Sequence, residues 1–401
     1  MSDSVTPAAQ QSDLATTHTY KVAPNSVMAK VMLAFLTTAG IFYINIMPAV
    51  VSGLIEALGF TNKEAGFVSS ANLYGASIGS LVAVFIIKKI RWQRWAYCLL
   101  IALLAIDFAS MHIDSPWPMI VIRALHGLTG GLLVGIGFSI ISRTQDPDKT
   151  FGYLLLIQWG LGGLGLMYLP GLVPSYGTGA LFCALIAFSF VALVMLIFLP
   201  HYEVEKANKP IAVGTAKNHL LLILTLVAIF LFQGANMGLF AYMIALGLAA
   251  NLDMDFMSAS LGMASWVALV GAALVIIIGK KFGRLGALML GISVTAVCSW
   301  LLIFSDNSNV YLYANIVIGI GWAFVLPYMF GICSELDIAG QFAAMGGFAS
   351  KMGLASGPMV AALVLSGEQY NIVIYLAVVF LIGSAICVLK PARTLDKHAQ
   401  S

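Results

Sequence analysis

Apolar runs of about 20 residues recur twelve times along this 401-residue chain. A helix needs a run of that length to cross a hydrocarbon core about 30 Å thick. The runs fall near 31–56, 64–87, 94–113, 118–141, 151–174 and 178–199, then near 219–248, 256–279, 285–305, 309–333, 342–365 and 371–389. The polar stretches between them are short, except for PHYEVEKANKPIAVGTAKN at 200–218, which parts two sets of six. The pattern predicts an all-α membrane protein with twelve transmembrane helices in two six-helix bundles, 30–199 and 219–389. A linker at 200–218 joins them, a disordered tail precedes them at 1–29, and a second tail follows at 390–401. An even number of spans puts both termini on one side.

Composition narrows the class. The chain is 60% hydrophobic and 9% charged, whereas soluble domains carry about 25% charged residues. A soluble fold of this length has no means of hiding that much apolar surface. The net charge of +3 is too small to point to nucleic acid. The five cysteines lie in or beside apolar runs without metal-ligand spacing, so neither a metal site nor a disulfide framework is expected. The first 29 residues hold no apolar core of the signal-peptide kind. A phosphate-binding loop, a zinc-spaced His/Cys cluster and a nucleophile elbow are all missing from the sequence, so an enzyme, a bound cofactor and ATP-driven transport are not expected.

Charge sets the orientation. Seventeen of the 20 Lys and Arg fall in the loops 88–94, 142–150, 200–218 and 280–284 or in the two tails. The opposite set of loops holds only Lys63. By the positive-inside rule the basic loops and both termini face the cytoplasm, which predicts a multi-pass protein of the cell inner (plasma) membrane.

The halves echo each other. IIKKIR at 86–91 follows the second span and IGKKFGR at 278–284 follows the eighth; Arg123/Gly127 in the fourth span and Asn315/Gly319 in the tenth share one spacing. Repeated six-span halves are the mark of a secondary transporter with its site at the repeat interface.

With these features the chain resembles the major facilitator superfamily (MFS) from about residue 30 to 390. Arg123-x-x-His126-Gly127-x-x-Gly130-Gly131 is similar to that family's Arg-x-x-Gln-Gly motif, with His in place of Gln. Gly353-x-x-x-Gly357-Pro358 is similar to its glycine-proline packing motif, and Gly160, Gly162, Gly163 and Gly165 before Pro170-Gly171 form a looser counterpart in the fifth span. The loops after the second and eighth spans depart from the family: Lys88 and Lys280 stand where it has the Asp that latches the cytoplasmic side. The resemblance implies an MFS fold and transport of a small molecule. It further implies that the first, fourth, seventh and tenth helices line the cavity, and that Arg123 takes part in proton coupling or cavity electrostatics.

Arg123 and Lys351 interrupt apolar runs, where a charge costs at least about 2.5–3.5 kcal/mol. Arg123 lies roughly 8 Å from the outer end of its span at about 1.5 Å per residue, and Asp107 reaches similar depth on the preceding span. They are expected to pair, either to neutralise each other alone or to form a substrate or proton site. His126, one turn on, either titrates during the cycle or fills the place of the family's Gln as a neutral side chain. Lys351 lies roughly 15 Å deep, near the midplane, with no acid close by on its own helix. It either binds an anion, sits neutral, or finds a partner on another span. Tyr43, Gln158, Gln233, Asn236 and Trp322 are the further candidates for substrate contact, against the alternative of helix-to-helix packing. Asp107 and His126 are the candidates for proton coupling. Two buried cations against one acid favour an anion such as a carboxylate or aromatic acid.

The expected function is therefore secondary active transport of a small organic solute with a coupled proton or other ion, by a monomer in the bilayer. Export of drugs or metabolites by the same fold is the alternative. A third reading is a membrane sensor that does not transport.

Overall fold

The first apolar run does not make one helix. The computed structural model describes residues 21–400 apart from 88, 142–143, 146, 203–215, 279–282, 337–340 and 366–368. In it the run splits into α1 (Val27–Ala39), α2 (Phe42–Asn45) and α3 (Met47–Leu58). The hydroxyls of Thr37 and Thr38 donate to the carbonyls of Leu33 and Ala34, a back-bonding that bends helices. Gly40 then brings its backbone against the Gly130 carbonyl, where a Cβ would sit 2.4 Å away. Pro48 restarts the chain in the first turn of α3, where a missing N–H costs nothing. Gly59 ends α3 at φ +70°, a conformation glycine adopts without steric cost. Thr61 and Glu64 close a capping box, fixing the start of the next helix.

The chain continues through α4 (Asn62–Ile86), α5 (Trp92–Ser110), α6 (Pro116–Ile141), α7 (Pro147–Tyr176) and α8 (Gly179–Phe198), which complete the first half. The second half holds α9 (Ala216–Ala241), α10 (Met243–Ala249), α11 (Met254–Val267), α12 (Leu269–Ile278), α13 (Gly283–Leu301) with a 3-10 turn Leu302–Phe304, α14 (Ser308–Leu336), α15 (Gln341–Val364) and α16 (Asn371–Gln400). Among the described residues nine helices are long and apolar enough to cross a membrane. The broken unit α1–α3 and the interface helices α4 and α15, of 25 and 24 residues, bring the passes to the twelve expected. The seventh and eighth passes are each broken once, between α9 and α10 and between α11 and α12.

Glycine sets how closely the helices approach. A Cβ on Gly127 would lie 1.8 Å from the Asn72 carbonyl oxygen, and one on Gly131 2.1 Å from that of Ala76, so α6 lies backbone to backbone on α4. In the second half a Cβ on Gly353 or Gly357 of α15 would lie 2.4 Å from the carbonyl oxygen of Phe230 or Gly234 on α9. Small residues that admit such contact are the usual means of helix association in lipid. The echo between Gly127 and Gly319 has a structural counterpart: Gly319 of α14 faces Ala264 and Ala268 at α11, as Gly127 faces α4.

The halves meet along α4–α15, α7–α11 and α3–α9/α10. Tyr74 and Ser356 share a hydrogen bond at 2.7 Å, and the Trp266 indole donates to the Gly160 carbonyl at 3.0 Å. Nearer the end away from the basic loops, Tyr242 and Tyr370 both donate to Asn62. Toward the basic end the same helices leave Met345, Phe348, Leu155 and Leu156 exposed.

At the basic end α16 runs past Pro391 to Gln400, where the sequence suggests a tail from residue 390. Its Asp396 carboxylate accepts the main-chain N–H groups of Arg284 and Leu285 at 2.9 Å each, and the Arg284 guanidinium grips Glu335 through both terminal nitrogens at 2.5 Å. On the first half, Tyr202 donates to the Pro24 carbonyl at 2.7 Å. Burial pushes its hydroxyl up to about 12, so it stays a donor at any physiological pH. Lys88 and Lys280, at the expected latch positions, lie outside the described residues, as do residues 1–20 and 203–215.

Candidate functional site

The candidate residues sort into separate groups rather than one constellation. The first is a buried charge cluster inside the first half. Arg123 Nη1 donates to Asp107 Oδ1 at 2.9 Å, and both side chains are fully buried. Arg123 Nη2 donates to Ser110 Oγ at 2.5 Å and to the Ile106 carbonyl at 3.4 Å. The guanidinium also lies 5.1 Å from the Phe182 ring centre and 5.9 Å from that of Tyr43, positions where the ring quadrupole attracts a cation. The pairing of Arg123 with Asp107 expected from the α5–α6 hairpin is thus present. Asp107 Oδ2 and Arg123 Nε have no hydrogen-bond partner among the described residues.

His126 extends this cluster. Its Nε2 lies 3.4 Å from Asp107 Oδ1, and its Nδ1 faces Asn72 Nδ2 at 2.8 Å. Asn72 Nδ2 also meets the Arg123 carbonyl at 3.2 Å. A carbonyl only accepts, so this end of the Asn72 amide is the NH₂, and His126 Nδ1 must then accept. The network therefore assigns His126 as neutral, with its proton on Nε2 toward Asp107. Protonating Nδ1 would set two donors against each other.

The second group is a hydrogen-bonded chain in the second half. Trp322 Nε1 donates to Gln233 Oε1 at 2.5 Å, and Gln233 Nε2 donates to Ser350 Oγ at 2.6 Å. Indole nitrogen only donates, so Trp322 fixes which way the Gln233 amide points. Asn236, one turn along α9, gives its NH₂ to the Phe232 carbonyl at 2.8 Å and keeps a buried Oδ1 without a partner among the described residues. A third, smaller group joins α2 to α7: Asn45 Nδ2 donates to the Gln158 carbonyl at 2.6 Å, and Asn45 Oδ1 accepts from Gln158 Nε2 at 3.3 Å. Tyr43 lies against the first group and shares a 3.5 Å contact with Ser69.

Lys351 stands apart. It projects from the middle of α15 into a crevice of about 30 Å³ between the halves. Ile41, Ile44, Leu73 and Val134 of the first half face it. Among the described residues it has neither a hydrogen-bond nor an ion-pair partner. The crevice lies one to two turns of α15 closer to the basic end than the Tyr74–Ser356 bond. Of the three readings of Lys351, a partner on another span is not found among the described residues.

The sequence reading did not include Ser350, Ser110, Asn62, Tyr242 or Tyr370. Ser350 had one signal, its place beside Lys351. Tyr242 had none, because the break between α9 and α10 contains neither Pro nor Gly.

No cation-binding cluster of His, Cys, Asp and Glu is present among the described residues. No curated protein sequence matches the chain. Among solved structures the fold is similar to a mutant of the nucleoside transporter NupG, with TM-score 0.73 and 13% identity over 90% of this chain and 99% of that one. It is also similar to the POT family transporter PepTSo, with TM-score 0.70 and 12% identity over 93% and 98% of the two chains. A D-xylose–proton symporter gives TM-score 0.68 and 12% identity over 90% and 96%. The sequence model of the Major Facilitator Superfamily matches residues 31–358, a range that spans both the Arg123 cluster and Lys351; the chain belongs to that family.

Proposed function

We propose that this chain is a secondary active transporter of a small organic anion, coupled to protons, in the cell inner membrane with both termini in the cytoplasm. The observation that carries this reading is Lys351. An ammonium without a partner among the described residues, held between the halves of an alternating-access fold, is compensated when an anion arrives. Arg123 does not add to that demand, because Asp107 already balances it. Gln233, Trp322, Asn236 and Gln158 line or brace the path in this reading, and Tyr43 packs under Arg123.

Proton coupling belongs to Asp107 and His126. They face each other and Arg123 with Tyr43 alongside, and Asp107 keeps an oxygen free to take a proton. The D-xylose–proton symporter, whose fold this chain shares, makes proton coupling a natural use of such a cluster. The bonds of Tyr242 and Tyr370 to Asn62 hold the halves together at the end away from the basic loops, which supports an inward-facing state in the orientation proposed.

Uptake by vesicles reconstituted with the purified chain tests this reading. Lys351→Ala is expected to abolish saturable, pH-gradient-driven uptake of organic acids. Uptake with unchanged concentration dependence would exclude Lys351 as the anion site.

A further inference from the structure

The surroundings of Lys351 narrow the kind of anion. Among the described residues Lys351 is the one unbalanced charge lining the crevice between the halves, because Arg123 and Asp107 are fully buried and paired within the first half. A dianion would meet one countercharge and leave its second charge against apolar walls, where charge without a partner is costly.

Those walls offer few hydrogen bonds. Ile41, Ile44, Leu73, Val134 and Leu354 face Lys351. The one hydroxyl among the lining residues, Ser77, is committed to the Leu73 carbonyl at 2.8 Å. Other polar side chains of the candidate set are engaged with one another: Tyr74 with Ser356, Asn45 with Gln158, and Gln233 with both Trp322 and Ser350; Asn236 Oδ1 is an acceptor left without a partner among the described residues. A sugar or other polyol entering here would lose water from several hydroxyls without replacement partners, which disfavours it. An alkyl or aryl group would lose nothing and would remove apolar surface from water.

We infer that the substrate is an amphipathic monoanion, a single carboxylate or sulfonate on an apolar body, with the acid group on Lys351 and the body along the apolar wall of the first half. This rests on the reading of Lys351 as the anion site.

Four six-carbon probes separate the possibilities: hexanoate, its neutral analogue hexanamide, the dianion adipate, and glucose. The readout is the concentration of each that half-saturates the thermal shift of the purified full-length chain. Hexanoate is expected to act at a concentration at least about tenfold below the other three. Shortening it to butyrate should weaken binding by up to about fourfold per methylene lost, the factor for full burial of a CH₂. Lys351→Met keeps the length and apolar stem and should erase the preference for hexanoate over hexanamide, while Lys351→Arg should retain it. Tighter binding of adipate or glucose than of hexanoate, or no shift with any probe, overturns the inference. Adipate binding best and depending on Lys351 would overturn the monoanion alone and leave the anion site standing. Equal hexanoate binding by wild type and Lys351→Met would overturn the anion site itself.

Discussion

The Tyr242 hydroxyl, at the break between α9 and α10, donates to the main-chain carbonyl of Asn62 at 2.7 Å and so ties the second half to the first residue of α4. Tyr370 adds a second bond from that half, to Asn62 Oδ1 at 2.9 Å. Gly66, one turn on, leaves the space that Tyr242 occupies: a Cβ there would lie 2.1 Å from the tyrosine oxygen and 2.6 Å from Ala362. Removing one hydroxyl costs about 1 kcal/mol, the net worth of a typical hydrogen bond. Tyr242→Phe should therefore shift the population modestly toward opening at this end, and Gly66→Leu should prevent closure outright. Distance distributions between spin labels placed across this end report both. Identical distributions in Gly66→Leu and wild type would rule out a sealing role.

The Arg123–Asp107 pair gives a stability prediction. Taking one partner from a buried ion pair leaves a charge uncompensated and costs about 3–5 kcal/mol. Arg123→Gln and Asp107→Asn should each lower the melting temperature strongly, while the double variant should recover part of the loss. Strictly additive losses in that cycle would mean that the pair contributes no coupling to the fold.

His126 sits as a neutral base between Asn72 and Asp107, and glutamine offers a donor and an acceptor at similar reach. His126→Gln should thus fold and exchange substrate across the membrane. If His126 carries the coupled proton, this variant loses the acceleration of uptake by an imposed pH gradient. Retained acceleration moves the proton to Asp107 alone, which Asp107→Asn then tests in the same assay.

Glycines of this chain differ sharply in what they tolerate. Gly127→Leu would drive a side chain into the Asn72 backbone, from which even a Cβ would be 1.8 Å away. It should part α6 from α4 and prevent accumulation of folded protein. An added Cβ at Gly152 meets nothing within 4 Å, so Gly152→Ala should be neutral or stabilise α7 by roughly 0.5–1 kcal/mol. Detergent-solubilised yield and melting temperature check the pair, and comparable damage from both substitutions would contradict the packing described.

Much of this was legible in the chain. Arg123 and Asp107 lie 16 residues apart across one hairpin, so matching depth along adjacent spans was enough to pair them. His126 joins them because it lies one turn from Arg123 on the same helix. Lys351 was harder. Its isolation depends on what α1, α4 and α6 place opposite α15, and those helices lie more than 200 residues away in sequence. The Asn62 clasp was invisible for the same reason: an asparagine at a helix start and two tyrosines in different loops carry no local signal of meeting. The extension of α16 past Pro391 ran against the usual reading of proline as a stop, and its carboxylate at Asp396 caps α13, a contact between distant ends of the second half.

The sequence by itself determined that the chain spans a membrane, how many times, and which loops share a side. Transfer of a residue between water and lipid is a local, nearly additive free energy, so it can be summed along a run and compared between loops. The tertiary structure decided which charges are balanced, that Tyr242 and Tyr370 clasp Asn62 across the halves, and that Lys351 faces an apolar wall. Those outcomes depend on glycines packed so closely between helices that an added Cβ would lie about 2 Å from a neighbouring backbone, and the register of such contacts is a property of the packed whole.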